Sequence, residues 1–137
     1  MNDKYYLDTN ILVYLYSNDP KATIVSNLLD EKFEKIIIST QVINELINVL
    51  TYKIKLKSNT EIKKIISALF DNFYVCEIHE TTIIKALELS QQYRYRYFDS
   101  LIIASALLNN CKLLYSEDLH DGQIIDNQLK IINPFNK

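Results

Sequence analysis

Four acidic residues stand where chemistry is most easily done in this 137-residue chain. Asp8 closes the run Tyr5-Tyr6-Leu7-Asp8-Thr9-Asn10, and Asp99 opens Phe98-Asp99-Ser100-Leu101-Ile102-Ile103-Ala104. Glu45 lies inside the apolar-periodic segment Gln41 to Leu50, and Asp118 follows Leu114-Tyr115-Ser116-Glu117. Taken singly, each has a structural use. Asp8 and Asp99 suit helix starts, where a carboxylate accepts orphan N–H groups and complements the dipole. Asp118 suits a turn. Glu45 is harder to place. At about 100° per residue, Val42, Ile43, Leu46, Ile47, Val49 and Leu50 share one wide arc, and Glu45 falls on its flank about 40° from Val49. A carboxylate that is partly buried there needs a partner, as a salt bridge or otherwise.

Together the four suggest more. Like charges brought to one place repel and push each other's pKa upward unless a cation neutralises them. Oxygen donors without cysteine or histidine favour a hard divalent ion, Mg²⁺ or Mn²⁺, over zinc. Magnesium held between carboxylates and substrate phosphates is typical of phosphoryl transfer, where it activates water and stabilises charge on the phosphorus oxygens.

The rest of the chain narrows the field. A single glycine, Gly122, excludes GxGxxG and GxxxxGK[ST] phosphate loops. Cys76 and Cys111 are not spaced with each other or with His79 and His120 as zinc ligands or a disulfide framework, and are expected to be buried free thiols. The longest uncharged stretch, Ser100 to Cys111, is too short to span a bilayer. Met1 to Lys4 leads straight into a strand-like segment, with no long apolar run of the secretory kind. The expectation is a cytoplasmic protein with no membrane contact, folded as one domain over residues 1–137.

The elements that must position the acids follow from periodicity. Short β-branched or aromatic runs alternate with longer helical segments, the signature of βα units around a parallel sheet. Five strands are predicted, at Lys4 to Leu7, Lys35 to Ser39, Tyr74 to Ile78, Lys112 to Tyr115 and Leu129 to Ile132. Helices are predicted at Asn10 to Tyr16, Lys21 to Glu31, Thr40 to Lys55, Thr60 to Phe70, Glu80 to Tyr93 and Phe98 to Asn109. Asn18-Asp19-Pro20 reads as a turn opening a helix, and Lys57 to Thr60 as a loop ending in an N-cap. In an open parallel sheet, ligands bind beyond the carboxyl ends of the strands, and all four acids map to that edge.

The formal charge of −2 does not exclude a nucleic-acid partner, because setting the four acids aside leaves +2 on the remainder. Lys53, Lys55, Lys57, Lys63 and Lys64 stand against one acid, Glu61, in that stretch. Tyr93-Arg94-Tyr95-Arg96-Tyr97-Phe98 interleaves rings with cations just before Asp99. Lys53, Lys55, Lys57, Arg94, Arg96 and Tyr97 are therefore candidate nucleic-acid contacts. A solvated lysine face, and aromatic packing in a core or dimer interface, are the plain alternatives.

The order Leu7-Asp8-Thr9-Asn10, Glu45 in a helix, Phe98-Asp99-Ser100 and Ser116-Glu117-Asp118-Leu119 resembles the PIN domain, specifically the VapC-type toxin ribonucleases of bacterial toxin–antitoxin pairs. The closing Asp118-Leu119-His120-Asp121-Gly122-Gln123 and Ile132-Asn133-Pro134-Phe135 are similar to tails in that group. The resemblance spans essentially the whole chain. It implies a Rossmann-like α/β/α sandwich and a Mg²⁺- or Mn²⁺-dependent endoribonuclease, usually dimeric and silenced by a cognate antitoxin. Asp8, Glu45 and Asp99 match the three core acidic positions, and Asp118 matches a fourth. Ser116 matches a supporting Ser/Thr position, and Asn10 a polar position beside the metal. Glu117 and Asp121 leave the fourth acid open. The implied reaction is hydrolysis of an RNA phosphodiester to a 5′ phosphate and a 3′ hydroxyl. A non-catalytic PIN-like module that grips RNA or protein is the main alternative. An aspartate-nucleophile phosphatase would want a second carboxylate where Asn10 stands. A phosphorelay receiver would want an aspartate after the third strand, where His79-Glu80 stand.

Overall fold

The structure is a computed structural model that describes residues 3–54 and 58–136. In chain order it runs β1 (Tyr5–Leu7), α1 (Thr9–Leu12) continued by a 3₁₀ turn (Val13–Tyr16), α2 (Lys21–Glu31), a 3₁₀ turn (Phe33–Lys35), β2 (Ile36–Ser39) and α3 (Thr40–Tyr52). It continues through α4 (Asn59–Asn72), β3 (Tyr74–Cys76), α5 (Glu80–Tyr93), α6 (Tyr97–Leu108), β4 (Leu113–Tyr115), β5 (Ile124–Ile125) and β6 (Leu129–Ile132). Every predicted strand and helix is present within a few residues of its expected bounds. The end of the third predicted helix differs: α3 stops at Tyr52, and Lys55 and Lys57 lie outside the described residues.

The strands form one sheet in the order β3-β2-β1-β4-β6-β5, with every pairing parallel except β5 with β6. This is the expected α/β sandwich with a sixth strand added to the five predicted. The addition is a two-residue edge strand made by a tight turn, in which Gln128 N donates to Ile125 O at 3.0 Å. Asp126 and Asn127 carry φ of 50° and 55° there, the left-handed pair of a type I′ turn. Successive strand residues face opposite sides of a sheet, yet Tyr5, Tyr6 and Leu7 are all buried, as are Ile36 to Ile38. Both faces are therefore covered, which is how parallel interior strands are stabilised. The outer strand β3 leaves Tyr74 exposed.

The helix starts carry local signals. Ser39 ends β2 and caps α3, its Oγ accepting from Val42 N at 3.4 Å and from the buried Tyr6 hydroxyl at 2.6 Å. Ser58 caps α4 through Glu61 N at 3.2 Å. Asp19 Oδ1 accepts Lys21 N at 2.9 Å beside Pro20, which opens α2. Helix α6 is apolar all round and buried continuously from Ser100 to Leu107, so it is a core element with Asp99 in its first turn. Cys76 and Cys111 are free and buried, as expected. Among the described residues, no helix is long and apolar enough to cross a membrane.

Candidate active site

The chain reverses direction across the sheet between β1 and β4: β2 and β3 lie to one side, β6 and β5 to the other. Such a switch point leaves a crevice beyond the strand ends. Leu7 pairs with Tyr115, so the next residues on each strand, Asp8 and Ser116, emerge side by side. A groove of about 470 Å³ opens there, and Asp8, Glu45, Asp99 and Asp118 all line it.

Each acid arrives by its own element. Asp8 is the N-cap of α1, its Oδ1 accepting Thr9 N at 2.7 Å, so the capping use read from the sequence and the groove position coincide. Its Oδ2 accepts from Ser116 Oγ at 2.8 Å. Glu45 comes from α3 and is half-buried; Oε1 accepts Thr9 Oγ1 at 2.5 Å and Oε2 accepts Gln41 Nε2 at 3.2 Å. Asp99 stands half-buried in the first turn of α6. Asp118 is exposed, past the end of β4, and accepts Asn10 Nδ2 at 3.1 Å. The same amide lies 3.4 Å from Asp8 Oδ2 and 3.4 Å from Ser116 Oγ, while Asn10 Oδ1 accepts Glu117 N at 3.1 Å. Asn10 and Ser116 thus stitch α1 to the segment after β4.

The electrostatics are those of carboxylates crowded together. Burial pushes Asp8 up to about 7 against the pull of its Ser116 and Thr9 hydrogen bonds, and the charges of Glu45 and Asp99 add to the rise. Asp99 is also raised, first by burial, with Asp118 and Glu45 adding and Arg96 opposing. Among the described residues lining the groove, Lys53 is the one cation, at the C-terminal cap of α3 and eight residues beyond Glu45. Among the described residues, no three acidic, histidine or cysteine side chains already close on a single ion. In donor type and charge the groove nevertheless suits a hard divalent cation. Its acids are all-oxygen donors, and Asp8 and Asp99 are raised first by burial and then by the like charges beside them, a penalty that a bound cation would offset.

The structure also separates the acids the sequence left open. Glu117 lines the groove but is held by Lys21 Nζ and by the Tyr14 hydroxyl at 2.6 Å. Burial would raise it, but those two partners hold it below the usual carboxylate range. Asp121 accepts Asn133 N at 2.8 Å and Asn136 Nδ2 at 3.3 Å, which fold the C-terminal segment and lower its pKa, and it does not line the groove. Of the three, Asp118 alone both lines the groove and has no cationic hydrogen-bond partner. Of the proposed nucleic-acid contacts, Lys53 lines the groove, whereas Arg94, Arg96 and Tyr97 do not. Arg94 is exposed in a left-handed conformation at the end of α5, Arg96 is exposed beside Asp99, and Tyr97 packs edge-on against Phe98. Tyr93 and Tyr95 bond the hairpin region through Asp126 and Gln123, so part of the Tyr/Arg run is internal scaffolding. Two contributors, Thr9 and Gln41, were not read from the sequence. The available signal was position: Thr9 adjoins Asp8, and Gln41 precedes Glu45 by one helical turn.

A profile of the PIN domain family matches residues 5–120, a stretch that contains all four acids. The chain belongs to the PIN domain family. Among solved structures it is similar to the toxin–antitoxin complex from Klebsiella pneumoniae, with a TM-score of 0.75 and 19% identity over 98% of this chain and 100% of that one. It is similar to Mycobacterium tuberculosis VapC20, described as a sarcin–ricin loop cleaving toxin, with a TM-score of 0.70 and 15% identity over 84% of this chain and 90% of that one. It is also similar to the DNA-bound VapBC of Salmonella typhimurium, with a TM-score of 0.69 and 17% identity over 94% and 96%. At these identities the likeness is one of fold. No curated protein matches the sequence.

Proposed function

We propose that this protein is a divalent-metal-dependent endoribonuclease and the toxin of a toxin–antitoxin pair. The observation that carries the reading is the convergence of Asp8, Glu45, Asp99 and Asp118 from four separate segments onto one groove at the switch point of the sheet. Membership of the PIN family supports it, as does the fold likeness to toxins, one of which is described as a sarcin–ricin loop cleaving toxin.

Asp8, Glu45 and Asp99 would hold Mg²⁺ or Mn²⁺, and Asp118, at the exposed rim, would hold water or a second ion. When bound, the ion supplies charge stabilisation at the phosphoryl oxygens. The protein's own groups keep the donors in place: Ser116 and the Thr9 N–H fix both oxygens of Asp8, and Asn10 ties Asp118 to the same cluster. Lys53 offers a cation to a neighbouring phosphate of the strand. Hydrolysis in line with the leaving 3′ oxygen releases a 5′ phosphate and a 3′ hydroxyl. The same reading carries a cytoplasmic site of action, a homodimer, and an antitoxin that sets a basic or apolar segment in or across the acidic groove.

The test is cleavage of total cellular RNA by purified protein with Mg²⁺, with Mn²⁺ and with EDTA, beside Asp99→Asn. Discrete fragments that need the ion and vanish in the variant are expected. RNA left intact under every condition overturns the reading in favour of a non-catalytic binding module.

A further inference from the structure

Gln41 sits in the first turn of α3 with 8% of its surface exposed. Its side-chain amide makes two hydrogen bonds, Nε2 donating to Glu45 Oε2 at 3.2 Å and to the Phe98 carbonyl at 3.1 Å. Both partners are pure acceptors, so only the NH₂ end can face them. The other end, Oε1, is buried and has no hydrogen-bond partner. A half-satisfied buried amide carries a desolvation cost that an apolar side chain of the same shape avoids. Packing therefore does not account for glutamine here, whereas the two groups its NH₂ holds do.

We propose that Gln41 is a positioning residue for the metal site: it fixes the Glu45 carboxylate and ties it to the first turn of α6, one residue before Asp99. This rests on the metal-dependent reading above. Thr9 Oγ1 takes the other oxygen of Glu45 at 2.5 Å, so the carboxylate is gripped from both sides. Both donors are neutral. A cationic partner would consume the charge, as Lys21 does for Glu117. Neutral donors orient Glu45 and leave its charge, and about two of its four lone-pair sites, for a cation. Because the amide also binds Phe98 O, a rotation of Glu45 is coupled to the placement of the helix that carries Asp99. This is the outer-shell arrangement that orients metal ligands, whose loss typically costs about 10–100-fold in metal affinity.

The experiment is a calorimetric titration of the metal-free full chain with Mn²⁺, for the wild type, Gln41→Met, Thr9→Val and Thr9→Ser, with circular dichroism as the check on folding. Gln41→Met keeps the volume and removes the donors. It is expected to bind Mn²⁺ about 10–100-fold more weakly, with Thr9→Val weakened likewise and Thr9→Ser close to wild type. RNA cleavage by Gln41→Met is expected to recover at raised Mn²⁺, a rescue that damage to the fold alone does not give. Should Gln41→Met fail to fold, Gln41→Asn keeps an amide that is one methylene too short to reach both acceptors, and the same loss is expected. Wild-type Mn²⁺ affinity in the folded Gln41 variant overturns the proposal alone. A wild-type protein that takes up no Mn²⁺ overturns it together with the metal-dependent reading.

Discussion

Asp8 and Ser116, 108 positions apart, are joined by a hydrogen bond of 2.8 Å across the ends of two adjacent parallel strands. The register of β1 against β4, Leu7 opposite Tyr115, puts them there, so this corner of the site is set by the sheet's central pairing. A serine in that position does two things. It gives a buried carboxylate the donor that burial would otherwise deny it, and it fixes which oxygen faces the groove.

Removing that donor is expected to show directly in the titration of Asp8. Burial already pushes Asp8 up to about 7, with Ser116 the largest opposing influence. A hydrogen bond to a charged group is worth roughly 1.5–3 kcal/mol, which corresponds to roughly one to two pH units. In the metal-free Ser116→Ala variant, the Asp8 carboxyl carbon followed by NMR is expected to titrate at least one unit higher than in the wild type. An unmoved midpoint would mean that Ser116 does not hold Asp8 in solution.

The same burial makes the metal-free protein sensitive to pH, and the sign follows from where the proton sits. Folded Asp8 keeps its proton up to about 7, whereas the unfolded chain releases it near 3.8. Between those values the native state binds more protons, so this group's contribution makes stability fall as pH rises through the window, and above 7 the full penalty remains. The penalty is on the order of 4 kcal/mol. Asp8→Asn keeps a capping side chain at the start of α1 and cannot ionise. Its melting temperature relative to wild type is expected to climb from pH 4 to pH 7 in EDTA. A constant difference across that range would place Asp8 in contact with water.

Much of this arrangement was legible in the residues, and what was not has a physical cause. The runs Tyr5-Tyr6-Leu7 and Ile36-Ile37-Ile38 read as interior strands because both faces of each are buried, which demands apolar residues throughout. Asp8, Glu45, Asp99 and Asp118 were legible because each follows or flanks such an element. Strand β5 was not, since its two residues pair only once Asp126 and Asn127 have adopted positive φ, and no glycine marks that turn. Gln41 and Thr9 were hidden for another reason: an amide and a hydroxyl acquire meaning only when the fold brings Thr9 to a carboxylate 36 positions away. The fourth acid stayed open because Lys21, which claims Glu117, is 96 positions distant.

That claim gives a direct comparison between the neighbouring acids. Glu117 is already neutralised by Lys21 and Tyr14, whereas Asp118 is held by the neutral Asn10 amide alone. Asp118→Asn is expected to lower cleavage about tenfold or more, the size of an effect on charge at a reacting phosphate. Glu117→Gln is expected to stay within about twofold, as for a surface change near 0.5 kcal/mol. Initial rates on one RNA at saturating Mg²⁺ decide between them, and the reverse order would assign the fourth role to Glu117.

Lys53 separates substrate binding from the metal site. It caps the C-terminal end of α3, eight residues beyond Glu45, which at about 1.5 Å per residue places its backbone roughly 12 Å along the groove that both line. That placement suits a contact to a phosphate of the strand next to the reacting one. A single lost contact to single-stranded RNA should flatten the dependence of log affinity on log salt by about 0.7. Lys53→Ala is therefore expected to raise KM, most at low salt and equally for RNAs of different sequence, while Mn²⁺ affinity measured without RNA stays at the wild-type value. A salt slope identical to wild type would show that the lysine faces solvent. A loss of Mn²⁺ affinity would show instead that it shapes the acidic cluster, because removing a nearby cation should strengthen the binding of a metal and not weaken it.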